Sequence, residues 1–249
     1  MALVCPLPLV SLPLPCSGRK FWQIVLILDM LGIGLMMAKA LALNGAHRVY
    51  IIGRRKEVLE AAAKESPHGN IIPITGDVTS KDSLHSAVTY IEKDIGYINV
   101  LIANSGILGP QTPSITPSSS LEEFQSTLWD TPFEDYTQTF AINTSAVYFT
   151  IVAFLMLLDA GNKKGSVSQR SQVIATCSVA GFNRVAPNGY AYGQSKAATT
   201  LLIKQLATNL VPYRIRANAL APGRTVSLCF LPSFQFLELE MQSDKIERG

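Results

Sequence analysis

The fold is decided by residues 24–46, IVLILDMLGIGLMMAKALALNGA. Consecutive aliphatic residues at Ile24–Leu28 predict a buried β-strand, and the apolar pattern that follows predicts an α-helix ending near Gly45. Gly32 and Gly34 lie between the two elements, where small residues allow a tight turn and close approach of the backbone to a ligand. The stretch therefore predicts a strand, a glycine turn and a helix at the start of an α/β domain.

Apolar runs of strand length and helical patterns alternate along the chain as far as residue 223. Such alternation implies right-handed βαβ units and a doubly wound parallel sheet flanked by helices on both faces. Ligands of these sheets bind beyond the carboxyl ends of the strands, so the chemistry is expected directly after each strand. We predict further strands in HRVYIIG, NIIPITGD, INVLIAN, SQVIATCS and RIRANALAPG, helices in KEVLEAAAKE, KDSLHSAVTYIEKDIG, 133–160 and AYGQSKAATTLLIKQLATNL, and a loop over Leu108–Pro132.

Composition narrows the class of protein. Apolar residues make up 48% of the 249 residues and charged residues 16%, which is typical of a globular domain with one core. The net charge is only +3, and no basic stripe with interleaved aromatic residues argues for nucleic-acid binding. The cysteines have no metal-ligand spacing, so we expect no metal and free thiols in a reducing compartment: Cys5, Cys16, Cys177 and Cys229.

The amino terminus has an unusual composition. Its first eighteen residues are apolar, include four prolines and have no basic start. Because a secretory signal begins with positive charge, we expect an atypical leader over residues 1–20 and a cytoplasmic protein. The longest apolar run, Ala146–Leu158, is too short to span a bilayer and predicts a buried helix rather than a membrane span.

Polar residues with chemical potential lie in and before the predicted helices. Tyr192 and Lys196 are four residues apart, on one face of a helix, and an ammonium near a phenol favours the phenolate form. Taken alone, the pair also fits a solvated lysine beside a packing tyrosine. Ser178 follows a strand, where it can donate to a substrate carbonyl or simply form a turn. Asn143, inside the long apolar helix, also fits a satisfied buried amide.

Taken together, these motifs resemble the classical short-chain dehydrogenase/reductase family over residues 21–223. ANSG at 103–106 matches the family's N-x-G element, and APG at 221–223 matches its Pro-Gly after the sixth strand. The middle of the chain is weakly similar to fungal NADP-dependent reductases that resemble 3-oxoacyl-carrier-protein reductases. The family's catalytic tetrad corresponds in type, order and spacing to Asn143, Ser178, Tyr192 and Lys196.

The resemblance implies a Rossmann-like catalytic domain over 21–223 and a reaction at a small-molecule carbonyl or alcohol. Tyr192 would be the general acid in carbonyl reduction, and Lys196 would favour its phenolate form and bind the nicotinamide ribose. Ser178 would polarise the carbonyl, and Asn143 would hold a water that links Lys196 to solvent. Hydride would pass between the nicotinamide and the substrate carbon.

The end of the second strand points to the cofactor. Where NAD enzymes often place an acidic residue, this chain has Gly53, followed by Arg54 and Arg55. A guanidinium suits a 2′-phosphate, so NADP(H) is favoured over NAD(H), although a solvated basic pair also fits. The resemblance assigns cofactor binding to Gly32, Ile33, Gly34, Arg54, Arg55, Asp77, Val78, Asn104, Ser105, Gly106, Tyr192, Lys196, Pro222, Gly223 and Thr225.

The chain departs from the family pattern at both ends. In the family's T-G-x-x-x-G-x-G turn, Ile27 replaces the threonine, Leu28 the first glycine, and Asp29 adds a negative charge. A side chain at that glycine crowds the turn, so we expect weakened cofactor binding. Residues 224–249 form an atypical tail without a recognisable last strand, so we expect the sheet to lack it. One hypothesis for both departures is an imperfect gene model.

Three functions stay open at this level. The first is an NADP(H)-dependent oxidoreductase acting on a carbonyl or secondary alcohol. The second is a catalytically impaired, dinucleotide-binding or scaffold member of the same family, and the third is a non-functional product. The resemblance also implies a homodimer or homotetramer, formed through the apolar helices predicted at 133–160 and 191–210.

Overall fold

The structure is a computed structural model that describes residues 32–66, 68–111, 115–116, 118–186 and 189–223, and the backbone alone of residues 24–28. Within these residues six strands form one parallel sheet with the order β3-β2-β1-β4-β5-β6. They are β1 (Ile24–Leu28), β2 (Arg48–Gly53), β3 (Ile71–Thr75), β4 (Val100–Ala103), β5 (Gln172–Thr176) and β6 (Arg216–Leu220). The doubly wound sheet is confirmed, and its switch point lies between β1 and β4.

Helices connect the strands on both faces of the sheet. They are α1 (Ile33–Leu43), α2 (Lys56–Lys64), α3 (Lys81–Asp94), α4 (Leu121–Trp129), α5 (Phe133–Phe140), α6 (Ala146–Lys164) and α7 (Tyr190–Asn209). Alternate residues of the strands enter two separate cores: Tyr50 and Ile52 pack with α3, α6 and α7, whereas Val49 and Ile51 pack with α1 and α2. Burial on both faces explains the continuous aliphatic strands.

The predicted loop over Leu108–Pro132 is wrong in its second half, which contains α4. The Ser120 hydroxyl accepts a hydrogen bond from the Glu123 amide, and the Glu123 carboxylate accepts one from the Ser120 amide. This reciprocal capping box starts the helix. Its pattern, Ser-x-x-Glu, was present in the sequence but was obscured by the surrounding prolines, serines and threonines.

The predicted helix over 133–160 is neither uniform nor complete. A π-helical turn at Ala141–Ser145 separates α5 from α6, and α6 continues to Lys164. Gly161 does not end the helix, because it lies where α6 crosses the segment before β4. A Cβ at Gly161 would lie 2.1 Å from the Ile98 carbonyl oxygen, so only glycine permits this approach.

By length and composition, one helical run could cross a membrane. Phe133–Lys164 spans 32 residues with a mean hydropathy of 1.9, longer than the apolar run apparent in the sequence. However, Val147, Ile151, Phe154 and Leu158 follow helical spacing and are buried against the sheet. This packing is typical of a core helix in a globular domain.

Several predictions concern residues outside the described part of the chain. They include the leader at 1–20, the tail at 224–249 and the loss of a last strand. Asp29 and Thr225 also lie there, and of Leu28 only the backbone at the end of β1 is described.

Candidate active site

The first turns of α7 bring Tyr192 and Lys196 together at the carboxyl end of β5. The helix begins at Tyr190, after Gly189 with a φ of 80°. The Lys196 Nζ lies 5.9 Å from the centroid of the Tyr192 ring and donates a 2.8 Å hydrogen bond to the Thr176 carbonyl. The predicted pair therefore shares one face of the helix.

Lys196 is an almost fully buried cation, with a relative exposure of 3%. Burial lowers the pKa of its ammonium to about 8, with a small opposing effect from Cys177. Most of the lysine therefore remains charged at neutral pH. A structural lysine on a helix surface would be solvated, so this environment excludes the simple alternative of a solvent-exposed lysine beside a packing tyrosine.

Ser178 directly follows β5 and is fixed by the backbone around it. Its hydroxyl oxygen accepts a 3.1 Å hydrogen bond from the Ala180 amide, which leaves the hydroxyl hydrogen to be donated. The neighbouring amides of Cys177 and Val179 donate to the carbonyls of Leu220 (2.7 Å) and Pro222 (3.1 Å). The segments after β5 and β6 are thereby held together, with Pro222 and Ser178 at the same edge of the sheet.

Asn143 lies in the π-helical turn and is fully buried. Its side-chain oxygen accepts from the Ile107 amide (2.8 Å), and its nitrogen donates to the Ile107 carbonyl and to the Ser195 hydroxyl (both 2.9 Å). These hydrogen bonds fit the interpretation of Asn143 as a buried amide with satisfied hydrogen bonds. At the same time these bonds connect the loop after β4 to α7, next to Lys196.

Gly106 occupies the narrow space between Lys196 and Asn143. A Cβ at this position would lie 3.1 Å from the lysine Nζ and 3.2 Å from the Asn143 side-chain oxygen. Beside it, Ser105 is buried and Asn104 accepts a 2.9 Å hydrogen bond from the Thr176 hydroxyl. The ANSG segment thus meets Asn143 in the π-helical turn and Lys196 on α7.

Two buried hydroxyls on α7 were missed by the sequence analysis. Ser195 donates to the Tyr192 carbonyl (2.8 Å), and Thr199 donates to the Asn143 carbonyl (2.7 Å). Both side chains have zero exposure. The available signal was their spacing, three and seven residues after Tyr192, which places them on the face of the helix that carries the tyrosine.

The other end of the crevice lies after β1, β2 and β3. Gly32 precedes α1 with a φ of 57°, a conformation that favours glycine, while Ile33 is half-buried and Gly34 is buried. Val78, after β3, lines a small gap together with Ser105, after β4. The predicted residues on neighbouring strands therefore lie at one edge of the sheet, whereas Gly223 is exposed after β6.

Arg54 and Arg55 are exposed at the end of β2. The adjacent strand ends nearby, since the Gly76 amide donates to the Gly53 carbonyl. Hydrogen bonds from the Thr79 hydroxyl and amide, assisted by the positive charge of Arg54, hold the pKa of Asp77 below its usual range. Arg54 therefore lies close enough to Asp77 to share one electrostatic environment with it.

Comparisons with known proteins identify the family and the fold. The family model described as short chain dehydrogenase matches residues 23–230. The chain is similar to the short-chain dehydrogenase/reductase PhomF of Diaporthe leptostromiformis, with 51% identity over 86% of this chain and 74% of that protein. It is also similar to the rhamnolipids biosynthesis 3-oxoacyl-(acyl-carrier-protein) reductase of Pseudomonas aeruginosa, with 29% identity over 78% and 68% of the two chains.

A solved structure gives the same result for the fold. The Pseudomonas aeruginosa RhlG/NADP active-site complex superposes with a TM-score of 0.70 and 28% identity, covering 85% of this chain and 76% of that one.

Proposed function

Because this chain belongs to the short-chain dehydrogenase family, an oxidoreductase family that uses a nicotinamide dinucleotide, we propose that it is an NADP(H)-dependent enzyme that interconverts a carbonyl and a secondary alcohol. The observation that supports this best is the buried ammonium of Lys196 beside Tyr192, at the carboxyl end of β5. Ser178 lies two residues after Thr176, the last residue of that strand. A buried charge of this kind is expensive to maintain without a function.

The proton transfer is assigned to Tyr192. In the reducing direction its hydroxyl gives a proton to the carbonyl oxygen, and in the oxidising direction its phenolate takes the proton of the alcohol. The Ser178 hydroxyl donates a hydrogen bond to the same oxygen and stabilises the negative charge that develops there. A bound nicotinamide dinucleotide supplies or accepts the hydride.

Lys196 and Asn143 are assigned supporting roles in this proton transfer. The Lys196 ammonium stabilises negative charge on Tyr192, and its remaining hydrogens are suited to ribose hydroxyls. Asn143 holds the Ile107 backbone and Ser195 in place through its hydrogen bonds. A water that links Lys196 to solvent would have to bind the Asn143 carboxamide in addition to these hydrogen bonds.

The described residues fit a dinucleotide in two places. The absence of a side chain at Gly106 leaves room next to Lys196, which a Cβ would fill at 3.1 Å. Helix α1 begins directly after Gly32, next to the switch point of the sheet, where amide hydrogens favour phosphates. We assign Gly34, Asp77, Val78, Asn104 and Pro222 to the same binding site, and Arg54 and Arg55, exposed at the end of β2, to the 2′-phosphate.

A panel of ketones with NADPH or NADH tests the function, with formation of the alcohol as the readout. We expect turnover with NADPH and a preference for it over NADH. An Arg54→Ala, Arg55→Ala double variant should bind NADPH about tenfold more weakly and NADH as before, since only the phosphate contact is lost. Lys56→Ala is the matched control, because Lys56 is an exposed neighbouring cation paired with Glu60.

Absence of turnover with every ketone and every secondary alcohol, in a protein that binds NADPH, would favour a dinucleotide-binding or scaffold member instead. An equal loss of NADPH and NADH binding in the double variant would contradict the assignment of the arginines.

A homodimer formed through α6 is part of the proposal. Its solvent side exposes Tyr148, Phe149, Val152 and Met156, a continuous apolar surface at helical spacing. Sedimentation velocity tests it: the wild type should sediment as a dimer or tetramer, and Val152→Glu with Met156→Glu should yield monomers. A monomeric wild type would contradict it.

A further inference from the structure

A cleft lies on the far side of α7 from Lys196. It has a volume of about 430 Å³ and opens between α4, α5 and the first turns of α7. On α7 its walls are Tyr190 and Gln194, which precede Tyr192 and Lys196 by two residues each. Two helical residues correspond to a rotation of about 200°, so the cleft and the catalytic pair occupy opposite faces of one helix.

The cleft is lined by aromatic side chains that remain exposed to water. Trp129 is 84% exposed, Phe133 75% and Tyr190 41%. Scattered exposed aromatic residues are ordinary, but here they surround one concave volume. Its size is within the range of ligand sites, and aromatic walls contribute much of the binding energy in such sites. The cleft therefore has the surface of a binding site rather than of a polar groove.

Two parts of the cleft wall, the start of α4 and the Tyr136 side chain, are held in place before any ligand arrives. The capping box of Ser120 and Glu123 fixes the start of α4. The Tyr136 ring stacks on Phe140 with centroids 5.9 Å apart, and its hydroxyl donates a 2.6 Å hydrogen bond to the Gln194 side-chain oxygen. A preorganised wall lowers the entropy cost of binding.

The chemistry of the lining selects an uncharged ligand. Among the residues that the structure describes, the lining side chains include no acidic or basic group, so a buried charge on the ligand would have no partner there. With the Gln194 oxygen engaged by Tyr136, its amide nitrogen is oriented as a donor within the described residues. The cleft thus combines aromatic surface with one donor for a ligand oxygen.

We propose that this cleft binds an uncharged aromatic compound, with its ring against Trp129, Phe133 and Tyr190 and an oxygen at Gln194. The ring belongs either to a distal part of the substrate or to a separate molecule. Both sources present the same chemistry to the cleft. Tyr190 in the cleft and Tyr192 in the catalytic pair lie two residues apart in the first turn of α7. The existence of the site does not depend on the proposed reaction.

Equilibrium dialysis with 2-naphthol, followed by its own fluorescence, tests the site directly. We expect Phe133→Ala and Gln194→Leu each to weaken binding about tenfold, as the loss of an aromatic anchor or a hydrogen-bonding group does. Tyr213→Ala is the matched control, because Tyr213 is an exposed aromatic residue outside the cleft. Circular dichroism verifies that each variant is folded. Unchanged binding in both cleft variants, or no binding to wild type, would overturn the proposal.

Kinetics and sedimentation separate the sources of the ring. If the ring belongs to the substrate, Phe133→Ala lowers kcat/KM for 2-acetylnaphthalene about tenfold and leaves that for acetone unchanged. If the ring belongs to a separate molecule, kcat/KM stays unchanged for both ketones while the binding of 2-naphthol still weakens. Either of these two results supports the site. Binding without any turnover refutes the reaction and retains the site. If wild type does not bind 2-naphthol and Phe133→Ala changes the sedimentation of the protein, the cleft is an interface between copies of the chain. That result overturns the proposal.

Discussion

The two ends of the crevice are built differently. Where β4 and β5 meet α7, the buried residues Asn143, Ser195 and Thr199 are hydrogen-bonded to one another, and the buried Lys196 donates to the Thr176 carbonyl. Where β2 ends, Arg54 and Arg55 are exposed and act through charge. A substitution in the first region is expected to affect both packing and the proposed chemistry. A substitution of the exposed arginines is expected to change the proposed cofactor preference and to leave the fold intact.

The largest expected effect is the removal of the buried charge in the first region. Lys196→Met keeps most of the side-chain volume and eliminates the ammonium beside Tyr192. We expect the turnover number for ketone reduction to fall by about 10²–10⁴-fold, because proton transfer loses its electrostatic support. Lys204→Met, an exposed lysine on the same helix, should retain full turnover. Equal turnover in both variants would contradict the catalytic assignment.

Thr199→Val tests the packing component of the same region. The variant keeps the shape of the side chain but removes the hydrogen bonds to the Asn143 and Ser195 carbonyls. We expect a loss of about 1–3 kcal/mol in the free energy of unfolding, measured by urea denaturation. Thr208→Val, an exposed position at the other end of α7, should show almost none. A stability loss of the same size in both variants would show that the buried network is unimportant.

Leu28→Gly tests the turn after β1, where the phosphates of the cofactor are proposed to bind. Leu28 ends β1 at the position where the family has the first glycine of its turn. Restoring glycine should tighten NADPH binding about tenfold, or about 1.4 kcal/mol, by relieving crowding of the turn. Nucleotide fluorescence gives the affinity. An unchanged or weaker affinity would mean that this chain binds its cofactor with Leu28 in place.

A further expected effect is a pH dependence that has opposite signs for activity and for stability. Because burial lowers the pKa of Lys196 to about 8 from 10.5, the folded protein releases this proton before the unfolded chain does. The free energy of unfolding should therefore gain a contribution that increases between about pH 8 and 10.5, while turnover falls as the ammonium is lost. Urea denaturation of wild type and Lys196→Met across this range isolates the contribution, which should be absent in the variant. An identical pH profile of stability in both proteins would refute it.

The positions of the strands in the sequence and the catalytic candidates could be predicted because both depend on local patterns. Aliphatic runs identify the strands, and residues that follow them must meet at one edge of a parallel sheet. The strand pattern predicts Ser178 at this edge, and helical spacing predicts Tyr192 and Lys196 on one face of a helix; their roles stay a prediction.

The remaining features depend on tertiary contacts. The π-helical turn at Ala141–Ser145 accompanies hydrogen bonds from Asn143 to Ile107 and Ser195, which lie far apart in the sequence. The continuation of α6 past Ala160 depends on the close approach of Gly161 to Ile98, which is a tertiary contact. The aromatic cleft also required the structure, because its walls come from three helices.

The central claim is that Tyr192 transfers the proton in a nicotinamide-dependent reaction. The most direct measurement is the single-turnover rate of ketone reduction by Tyr192→Phe, with every active site saturated with NADPH. We predict a rate about 10²–10⁴-fold below wild type, with NADPH affinity unchanged and Tyr213→Phe fully active. A Tyr192→Phe variant that reduces the ketone at the wild-type rate would contradict the account.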